Sequence, residues 1–311
     1  MDYLIVLLVL LVAVVLANLA LEPIAKWRNP PIGAFLEVDG VRLHYIVRGD
    51  ATAPPLVMLH GNGALIQDFT ISGLVDAAAE KFRVICFDRP GFGHSTRPRG
   101  RIWTPTHQAD LVLAALTKLG VTRPLILGHS WGALVALAMS LRGTEKVRGL
   151  VLVSGYYFPT WRPEVLVASA PGIPIFGDIL RYTISPLISW LILPSLFRKI
   201  FSPNPVPEVV QGEYPTSLLI RPSQLRAASE EAGFMVPAAA MLAQSYSVID
   251  CPVAILAGRD DTIVESEQAI RLQQQLRHAT VERIPQSGHM LHYFEGDQII
   301  RNADRVNEGS Q

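Results

Sequence analysis

The chain has 311 residues, and its 27 Lys and Arg residues balance its 27 Asp and Glu residues. This length is enough to bury a sizeable core, whereas the balanced charge excludes an overall field that would attract nucleic acid. The two cysteines, Cys86 and Cys251, lie in or beside apolar stretches without metal-ligand spacing, and the sequence contains no dinucleotide fingerprint or phosphate loop. We therefore expect no cofactor, no metal and no nucleic-acid partner.

The first segment of the chain is apolar. From Tyr3 to Leu21 it carries no charge, and Asn18 is the exception to its apolar composition. A helix of about 20 apolar residues is long enough to cross the hydrocarbon core of a bilayer. We therefore predict that residues 1–30 form a single-pass membrane anchor and a linker.

Flanking charges bear on the orientation and the fate of this segment. Lys26 and Arg28 follow the apolar run, and the positive-inside rule then places the rest of the chain on the cytoplasmic side. The alternative is a secretory signal that is cleaved near Ala17 or Ala20, which would leave a secreted or periplasmic protein. A signal peptide normally begins with a basic region and has a shorter apolar stretch, so we expect the segment to be retained.

Beyond residue 30, short apolar runs alternate with helical stretches. Asp39-Gly40, between the first two runs, is a strong hairpin signal. Thr106–Leu119 and Ala133–Leu141 read as helices, and Gln298–Arg305 could form a last short one. The predicted strands are Phe35–Val38, Val41–Val47, Pro55–Leu59, Val84–Phe87, Leu125–Leu127, Val147–Val153, Val253–Gly258 and Val281–Pro285.

The most informative motif is Gly-His-Ser-Trp-Gly, residues 128–132. It joins the apolar run Leu125–Leu127 to the helical stretch that begins at Ala133, so it predicts a tight strand-turn-helix with Ser130 at the apex. The two glycines allow the close approach of backbone that such a turn requires. The helix that follows directs its N-terminus at the serine, where it favours developing negative charge. Ser130 is therefore our candidate nucleophile.

A serine hydroxyl becomes an effective nucleophile when a histidine accepts its proton and a carboxylate orients that histidine. Both groups occur downstream, on loops just past predicted strands: first Asp260 and Asp261, then His289 and His292. Strand ends are where α/β sheets place their sites. The order Ser, Asp, His along the chain is that of the α/β-hydrolase triad.

From about Phe35 to Arg305 the chain resembles the α/β-hydrolase superfamily, in the branch of serine hydrolases that carry an inserted helical cap. Two further loops support the resemblance: His60-Gly61-Asn62-Gly63 and the Asp-Arg-Pro-Gly-Phe-Gly-His-Ser segment at residues 88–95. The resemblance implies an α/β fold in which helices flank a mostly parallel central sheet.

The resemblance also implies the roles of individual residues. The acid of the family lies in a Gly-x-x-Asp loop, which here selects Asp261 rather than Asp260, and the base lies in a Gly-His pair, which here is His289. The oxyanion hole would consist of two backbone N–H groups. One belongs to Trp131, the residue after the nucleophile, and the other, by resemblance, to Asn62.

The β/α rhythm stops between about residues 159 and 249, where Pro-punctuated helical stretches take over. We expect the cap here. Within it, Ile184–Phe197 is apolar but interrupted by proline, which predicts two short helices that bury the underside of the cap. A sharper hypothesis is that this face forms an apolar acyl pocket. The predicted segments beyond the anchor are core residues 31–158, cap residues 159–249 and core residues 250–311.

The predicted function is hydrolysis of a carboxylic ester or thioester of a hydrophobic, small-molecule acyl substrate, through an acyl-enzyme on Ser130. Capped relatives that hydrolyse epoxides or haloalkanes carry an aspartate at this position. The alternatives are a proline aminopeptidase, a carbon–carbon bond hydrolase, or a membrane-tethered ligand-binding protein without turnover. Glu230-Glu231 is the acidic pair of the cap that could hold a substrate amine, and we interpret it as a solvated helix face.

Overall fold

An eight-stranded sheet positions the loops of interest. The computed structural model describes residues 2–309, so Met1 and residues 310 and 311, which belong to the predicted anchor and second core segment, lie outside it. The strands are β1 (Ala34–Val38), β2 (Val41–Arg48), β3 (Pro55–Leu59), β4 (Arg83–Phe87), β5 (Leu125–His129), β6 (Gly149–Val153), β7 (Val253–Gly258) and β8 (Ala279–Ile284).

The strand order in the sheet is β1-β2-β4-β3-β5-β6-β7-β8. Strand β2 runs antiparallel to both of its neighbours, and the strands from β3 to β8 pair in parallel. Asp39 and Gly40 both have positive φ, at 48° and 76°, which is the backbone conformation that a two-residue hairpin turn requires. The predicted fold class, a mostly parallel sheet flanked by helices, is confirmed.

The parallel strands are buried on both faces. Along β3, for example, Val57 and Leu59 belong to one apolar cluster and Leu56 and Met58 to the other, because successive side chains of a strand point to opposite faces. Helices cover both clusters. The helices of the described residues are α1 (Asp2–Arg28), α2 (Ile66–Ile71), α3 (Leu74–Ala79), α4 (Pro105–Lys118), α5 (Trp131–Ser140), α6 (Glu164–Ser169), α7 (Phe176–Tyr182), α8 (Ser185–Phe201), α9 (Glu208–Glu213), α10 (Thr216–Leu219), α11 (Pro222–Ala243), α12 (Glu267–Gln273), α13 (Leu291–Phe294) and α14 (Gly296–Glu308). Helices α4, α5, α11 and α12 contribute to the cluster of Val57, and α2, α3, α13 and α14 to the cluster of Leu56.

The segment predicted to form a cap contains helices α6 to α11, which lie between β6 and β7 in the chain, and we use the word cap for these six helices. The prediction of two short helices over Ile184–Phe197 is wrong, because α8 is a single helix. Pro186 lies in the first turn of α8, where a backbone N–H has no acceptor within the helix, so proline is tolerated there. Pro194 lies inside the helix. Many apolar side chains of α8 are exposed, so the expected burial of this segment is also wrong.

Helix α1 projects from the cap. Every residue from Tyr3 to Val14 is exposed, whereas the part of the helix from Asn18 onward contacts α7, α10 and α11. By length and composition it is a candidate membrane span, although a signal sequence has the same properties.

Candidate active site

Ser130 lies at the junction of β5 and α5, with φ of 53° and ψ of −118°. A non-glycine residue in this region is strained, and such strain often marks a functional turn. The turn also needs its glycines: a Cβ on Gly128 would lie 2.5 Å from the Gly132 carbonyl oxygen, and one on Gly132 would lie 2.1 Å from that of Leu59. The motif therefore folds as a sharp, closely packed elbow with the serine partly exposed at its apex.

His289 and Asp261 come together from the loops after β8 and β7. The Nδ1 atom of His289 lies 2.8 Å from Oδ2 of Asp261. The other carboxylate oxygen, Oδ1, accepts hydrogen bonds from the backbone N–H groups of Ile263 and Val264, at 2.7 and 2.9 Å. Asp261 is thus held by its own loop and presents one oxygen to the imidazole, which orients the ring and favours the Nδ1–H tautomer.

The His289 loop packs directly behind the nucleophile. His129, the residue before Ser130, has its ring centroid 5.0 Å from that of His289, and its Nε2 lies 3.1 Å from the His289 carbonyl oxygen. Burial, and then the neighbouring His292 and His289, lower the pKa of His129 well below its ordinary value, so its ring stays neutral. His129 therefore serves as packing between the two loops.

The His-Gly loop after β3 lies beside Ser130. A Cβ built on Gly61 would lie 3.1 Å from the Cβ of Ser130, so this loop borders the nucleophile. Trp131 is the first residue of α5, and its N–H consequently has no acceptor within the helix. The side chain of Asn62 donates to the Ala228 carbonyl of α11 at 3.1 Å, which fixes the loop against the cap.

His60 supports this loop as a neutral ring. Complete burial, and then the charge of Arg89, lower the pKa of His60 to about 3. Its Nε2 accepts a hydrogen bond from the Arg89 N–H at 3.0 Å, and its Nδ1–H donates to the Gly61 carbonyl at 2.8 Å. The ring thus holds the loop in place from both sides.

Asp260 and His292, the alternative acid and base, lie in environments that differ from those of Asp261 and His289. Asp260 is exposed to solvent. His292 is completely buried, and its Nε2 lies 3.2 Å from Oδ2 of Asp68, which is also buried. Asp68 receives a further hydrogen bond from the hydroxyl of Tyr293 at 3.1 Å. The sequence analysis did not identify Asp68, because no motif surrounds it and its partner lies more than 200 residues away.

Among the described residues, Asp68, His129 and His292 are the one group whose donor atoms are close enough for a metal ion, all within 4.8 Å of one another. His292 already lies against Asp68, however, and His129 against the His289 carbonyl. We therefore interpret the group as polar packing behind His289.

Arg89 ties the site to the cap. Its guanidinium donates to the carbonyl oxygens of His60 and Gly61, at 2.7 and 2.8 Å, and forms an ion pair with Glu231 of α11, with Nη2 and Oε2 3.0 Å apart. Gln108 bridges the pair, since it contacts both partners. The interpretation of Glu231 as part of a solvated face is wrong: its side chain is completely buried, because this face of α11 packs on the core.

Glu230, the neighbour of Glu231, is also committed to a partner. Its Oε2 accepts a hydrogen bond from Nε of Arg97 at 2.6 Å, and Arg226 lies nearby. Because both carboxylates are paired with arginine, neither is an unpaired negative charge that would bind a substrate amine. The aminopeptidase alternative loses its one supporting feature in the cap.

The cap contains an apolar cleft of about 580 Å³ between α8, α9 and α10. Trp190, Leu193 and Phe197 form one side, and Val206 and Val210 form part of the other. Phe197, Val206 and Val210 also belong to an apolar cluster with Met290, the residue after His289. The floor of the cleft is thus continuous with packing against the His289 loop.

A family model described as an alpha/beta hydrolase fold matches residues 54–296. Haloalkane dehalogenase 2 of Mycobacterium bovis is 31% identical over 118 residues, which are 38% of this chain and 40% of that protein. The chain thus aligns with less than half of the length of this relative. A hydrolase of Bacillus subtilis called YugF, described as uncharacterized, is 26% identical over 270 residues, 84% of this chain and 92% of its own.

Among solved structures, a membrane phospholipase A described as a bacterial virulence factor superposes on the chain with a TM-score of 0.71. The identity is 20%, and the superposition covers 100% of this chain and 99% of the other. At this identity the likeness concerns the fold.

Proposed function

Because the chain belongs to the α/β-hydrolase family, we propose that it is a serine hydrolase that cleaves a carboxylic ester or thioester. The observation that carries the proposal is the 2.8 Å contact between His289 and Asp261, on a loop that packs behind the strained Ser130 elbow. In this proposal Ser130 is the nucleophile, His289 the base and Asp261 the orienting acid.

The proposed reaction has two halves. His289 accepts the Ser130 proton as the serine oxygen attacks the carbonyl, and the backbone N–H groups of Asn62 and Trp131 hold the oxyanion, each such donor contributing about 3–4 kcal/mol. His289 then protonates the leaving group, which departs and leaves an acyl-enzyme. Water, deprotonated by His289, attacks the acyl-enzyme and releases the acid.

The serine nucleophile selects acyl transfer over the displacement of a halide. A serine that displaced a halide from carbon would form an ether, which water does not cleave, whereas a serine ester hydrolyses through the same oxyanion as it formed. With Ser130 at the elbow, acyl substrates are therefore favoured over the haloalkanes named for one relative.

We further propose that the cleft of the cap receives an apolar acyl chain. Its lining is mainly apolar and aromatic, and its floor packs against Met290, next to the proposed base. A cavity of this size and lining is typical of sites for small apolar ligands. Trp190 and Leu193, on successive turns of α8, are the side chains that a bound chain would contact.

The remaining assignments are also part of the proposal. Residues 1–30 form a membrane anchor and linker with the hydrolase on the cytoplasmic side, residues 159–249 form the cap, and residues 31–158 and 250–311 form the core. The apolar composition of α1 and its exposed first half support the anchor.

The first experiment uses the full chain in detergent and its Ser130→Ala variant. Both are treated with a fluorophosphonate probe and assayed on p-nitrophenyl esters of increasing chain length. We expect labelling and turnover in the wild type and neither in the variant. A folded wild type that takes no label and turns over no ester would exclude the serine hydrolase and favour the ligand-binding alternative.

The same assay tests the acyl cleft. We expect Leu193→Asp to lower kcat/KM about tenfold or more for a decanoyl ester and little for an acetyl ester, because a carboxylate in the cleft lining disfavours only the longer chain. Asp110→Asn, an exposed substitution on α4, is the control. Equal losses on both esters would remove the cleft from the acyl pathway.

A further inference from the structure

The position of α1 limits how the molecule can sit on a membrane. The residues from Tyr3 to Val14 are all exposed, so no other part of the described chain covers them. Further along, Nδ2 of Asn18 donates to the carbonyl oxygens of Tyr182 and Thr183, at 2.9 and 2.8 Å. These two hydrogen bonds hold α1 against the cap at the junction of α7 and α8.

Two further contacts hold the end of α1. Ser223, at the start of α11, donates to Oε2 of Glu22 at 2.6 Å, and Nδ2 of Asn29 donates to Ser217 at 2.8 Å. Ala25 is buried against Leu65 and Leu218. These contacts fix the direction in which α1 leaves the cap.

The free part of α1 is too short to cross a bilayer alone. From Tyr3 to Ala17 it comprises about 15 residues, or about 22 Å at 1.5 Å per residue. The hydrocarbon core is about 30 Å thick and needs about 20 residues, so an apolar layer that starts at Tyr3 ends near Glu22. The junction of α7 and α8, which contacts Asn18, then lies within the apolar layer or at its edge.

The surface at this junction is apolar and exposed. Ile184, Leu187, Ile188 and Leu191 follow a spacing of three and four, so they form one stripe along α8, and all four are exposed. The sequence carries no charged residue from Ser185 to Phe197. A stripe of this kind on a water-soluble surface would be an aggregation hazard, which indicates that it has an apolar partner.

The turn before α7 and the helix itself expose further apolar side chains. Ile175 has φ of 66° and is 78% exposed, an unfavourable combination for a β-branched apolar residue in water. Ile179, one turn further, is exposed as well. We call Ile175, Ile179, Ile184, Leu187, Ile188 and Leu191 the apolar face of the cap.

We propose that the apolar face of the cap is a membrane-binding surface that inserts into the lipid bilayer beside α1. The occupant is the lipid itself, because the length of α1 brings the edge of the hydrocarbon layer to this face and the α8 part of the face carries no charge. Asp178, the charged residue between Ile175 and Ile179, is paired with Arg99 and Arg181. The proposal rests on the α1 anchor and is independent of the ester chemistry. Trp190 and Leu193, on the adjoining stripe of α8, then open the cleft beside the lipid.

The test places a fluorophore on the apolar face of the full chain, reconstituted in phosphatidylcholine vesicles. Leu187→Cys is labelled with an environment-sensitive dye, and Met241→Cys is the matched control. Leu187 and Met241 are 57% and 69% exposed, and Met241 lies on α11 about 27 Å along the helix from the α1 contact at Ser223.

The two native thiols do not compete for the label. Cys86 and Cys251 are both buried. Burial raises the pKa of Cys86 well above its ordinary value and that of Cys251 to about 11, so neither is a reactive thiolate near neutral pH.

We expect nitroxide groups on the lipid acyl chains to quench the Leu187 probe about threefold or more strongly than the Met241 probe, and aqueous iodide to show the reverse order. A Leu187 probe that iodide quenches freely, on a chain that floats with vesicles, would overturn the proposal and leave the anchor intact. A probe shielded from both quenchers would overturn it in favour of a second copy of the chain. A chain that does not float with vesicles would overturn both the proposal and the anchor.

Discussion

Asp260 and Asp261 are neighbours in the chain, yet only one of them lies in the candidate site. The Asp261 carboxylate uses one oxygen for two backbone N–H groups and the other for His289, whereas Asp260 is exposed. A side chain held in this way loses little further entropy when it orients an imidazole. The difference between the two aspartates can therefore be measured.

We predict that Asp261→Asn lowers kcat on a simple ester by about 10³–10⁴-fold, because an amide neither stabilises the imidazolium nor favours the productive tautomer. Asp260→Asn should stay within about twofold of the wild type, since an exposed carboxylate near the site acts only through solvent-screened charge. Stopped assays of both variants near neutral pH give the comparison. Similar losses in the two variants would contradict the assignment of Asp261.

At the scale of elements, α11 connects the cap to the loop that carries Asn62. The carbonyl oxygen of Ala228 accepts a hydrogen bond from the Asn62 side chain, and Gln224 donates to the Gly63 carbonyl at 3.4 Å. Glu231 pairs with Arg89, whose guanidinium donates to the Gly61 carbonyl. The loop is thus positioned from the cap side as well as from the core. Substitutions in α11 should change catalysis without touching the substrate.

We predict that Glu231→Gln lowers the free energy of unfolding by about 3 kcal/mol, the lower end of the range for breaking a buried ion pair, because Arg89 keeps its charge without a counterion. It should also lower kcat/KM, because Arg89 then holds the Gly61 carbonyl less firmly. Chemical unfolding and ester kinetics measure the two effects.

The matched control is Asp110→Asn, which breaks the pair with Arg142. That pair has two contacts of 2.7 Å, but both of its side chains are exposed, so its loss should cost at most about 1 kcal/mol and leave kcat/KM unchanged. Equal destabilisation by the two substitutions would show that the burial of Glu231 has no energetic consequence.

We expect the stability of the whole molecule to depend on pH through its buried histidines. The pKa of His60 is lowered to about 3 by burial and then by Arg89, and burial lowers that of His129 well below its ordinary value. Both rings stay neutral in the folded chain. The unfolded chain binds their protons below about pH 6.5, so stability is present above that pH and is lost as the pH falls towards about 3.

We predict that His60 alone makes folding about 2 kcal/mol less favourable at pH 5 than at pH 7, which corresponds to a fall of roughly 3 °C in Tm for a chain of this size. His129 adds to this loss. Circular dichroism melts of the full chain in detergent at the two pH values measure it, with the exposed His278→Gln as a control that leaves the difference unchanged. A Tm that is the same at both pH values would contradict the neutral, buried state of these rings.

Much of the architecture follows from local sequence. The strands and the elbow at Ser130 were predictable because short apolar runs, glycine spacing and turn residues act over a few positions, and these are properties of the chain itself. The loops of Asp261 and His289 were predictable for the same reason, as each follows a strand end. Their assignment as acid and base stays a prediction.

Whether a side chain is buried, and which side chain it pairs with, depends instead on which faces of the helices and strands pack together. Glu231 and Asp68 carry no local signal, because their partners, Arg89 and His292, are distant in sequence and are brought close only by packing. Helix α8 shows the converse: its apolar composition predicted burial, but the tertiary structure leaves many of its apolar side chains exposed. Composition sets what a side chain prefers to contact, and only the folded arrangement of the helices determines whether protein or another partner provides that contact.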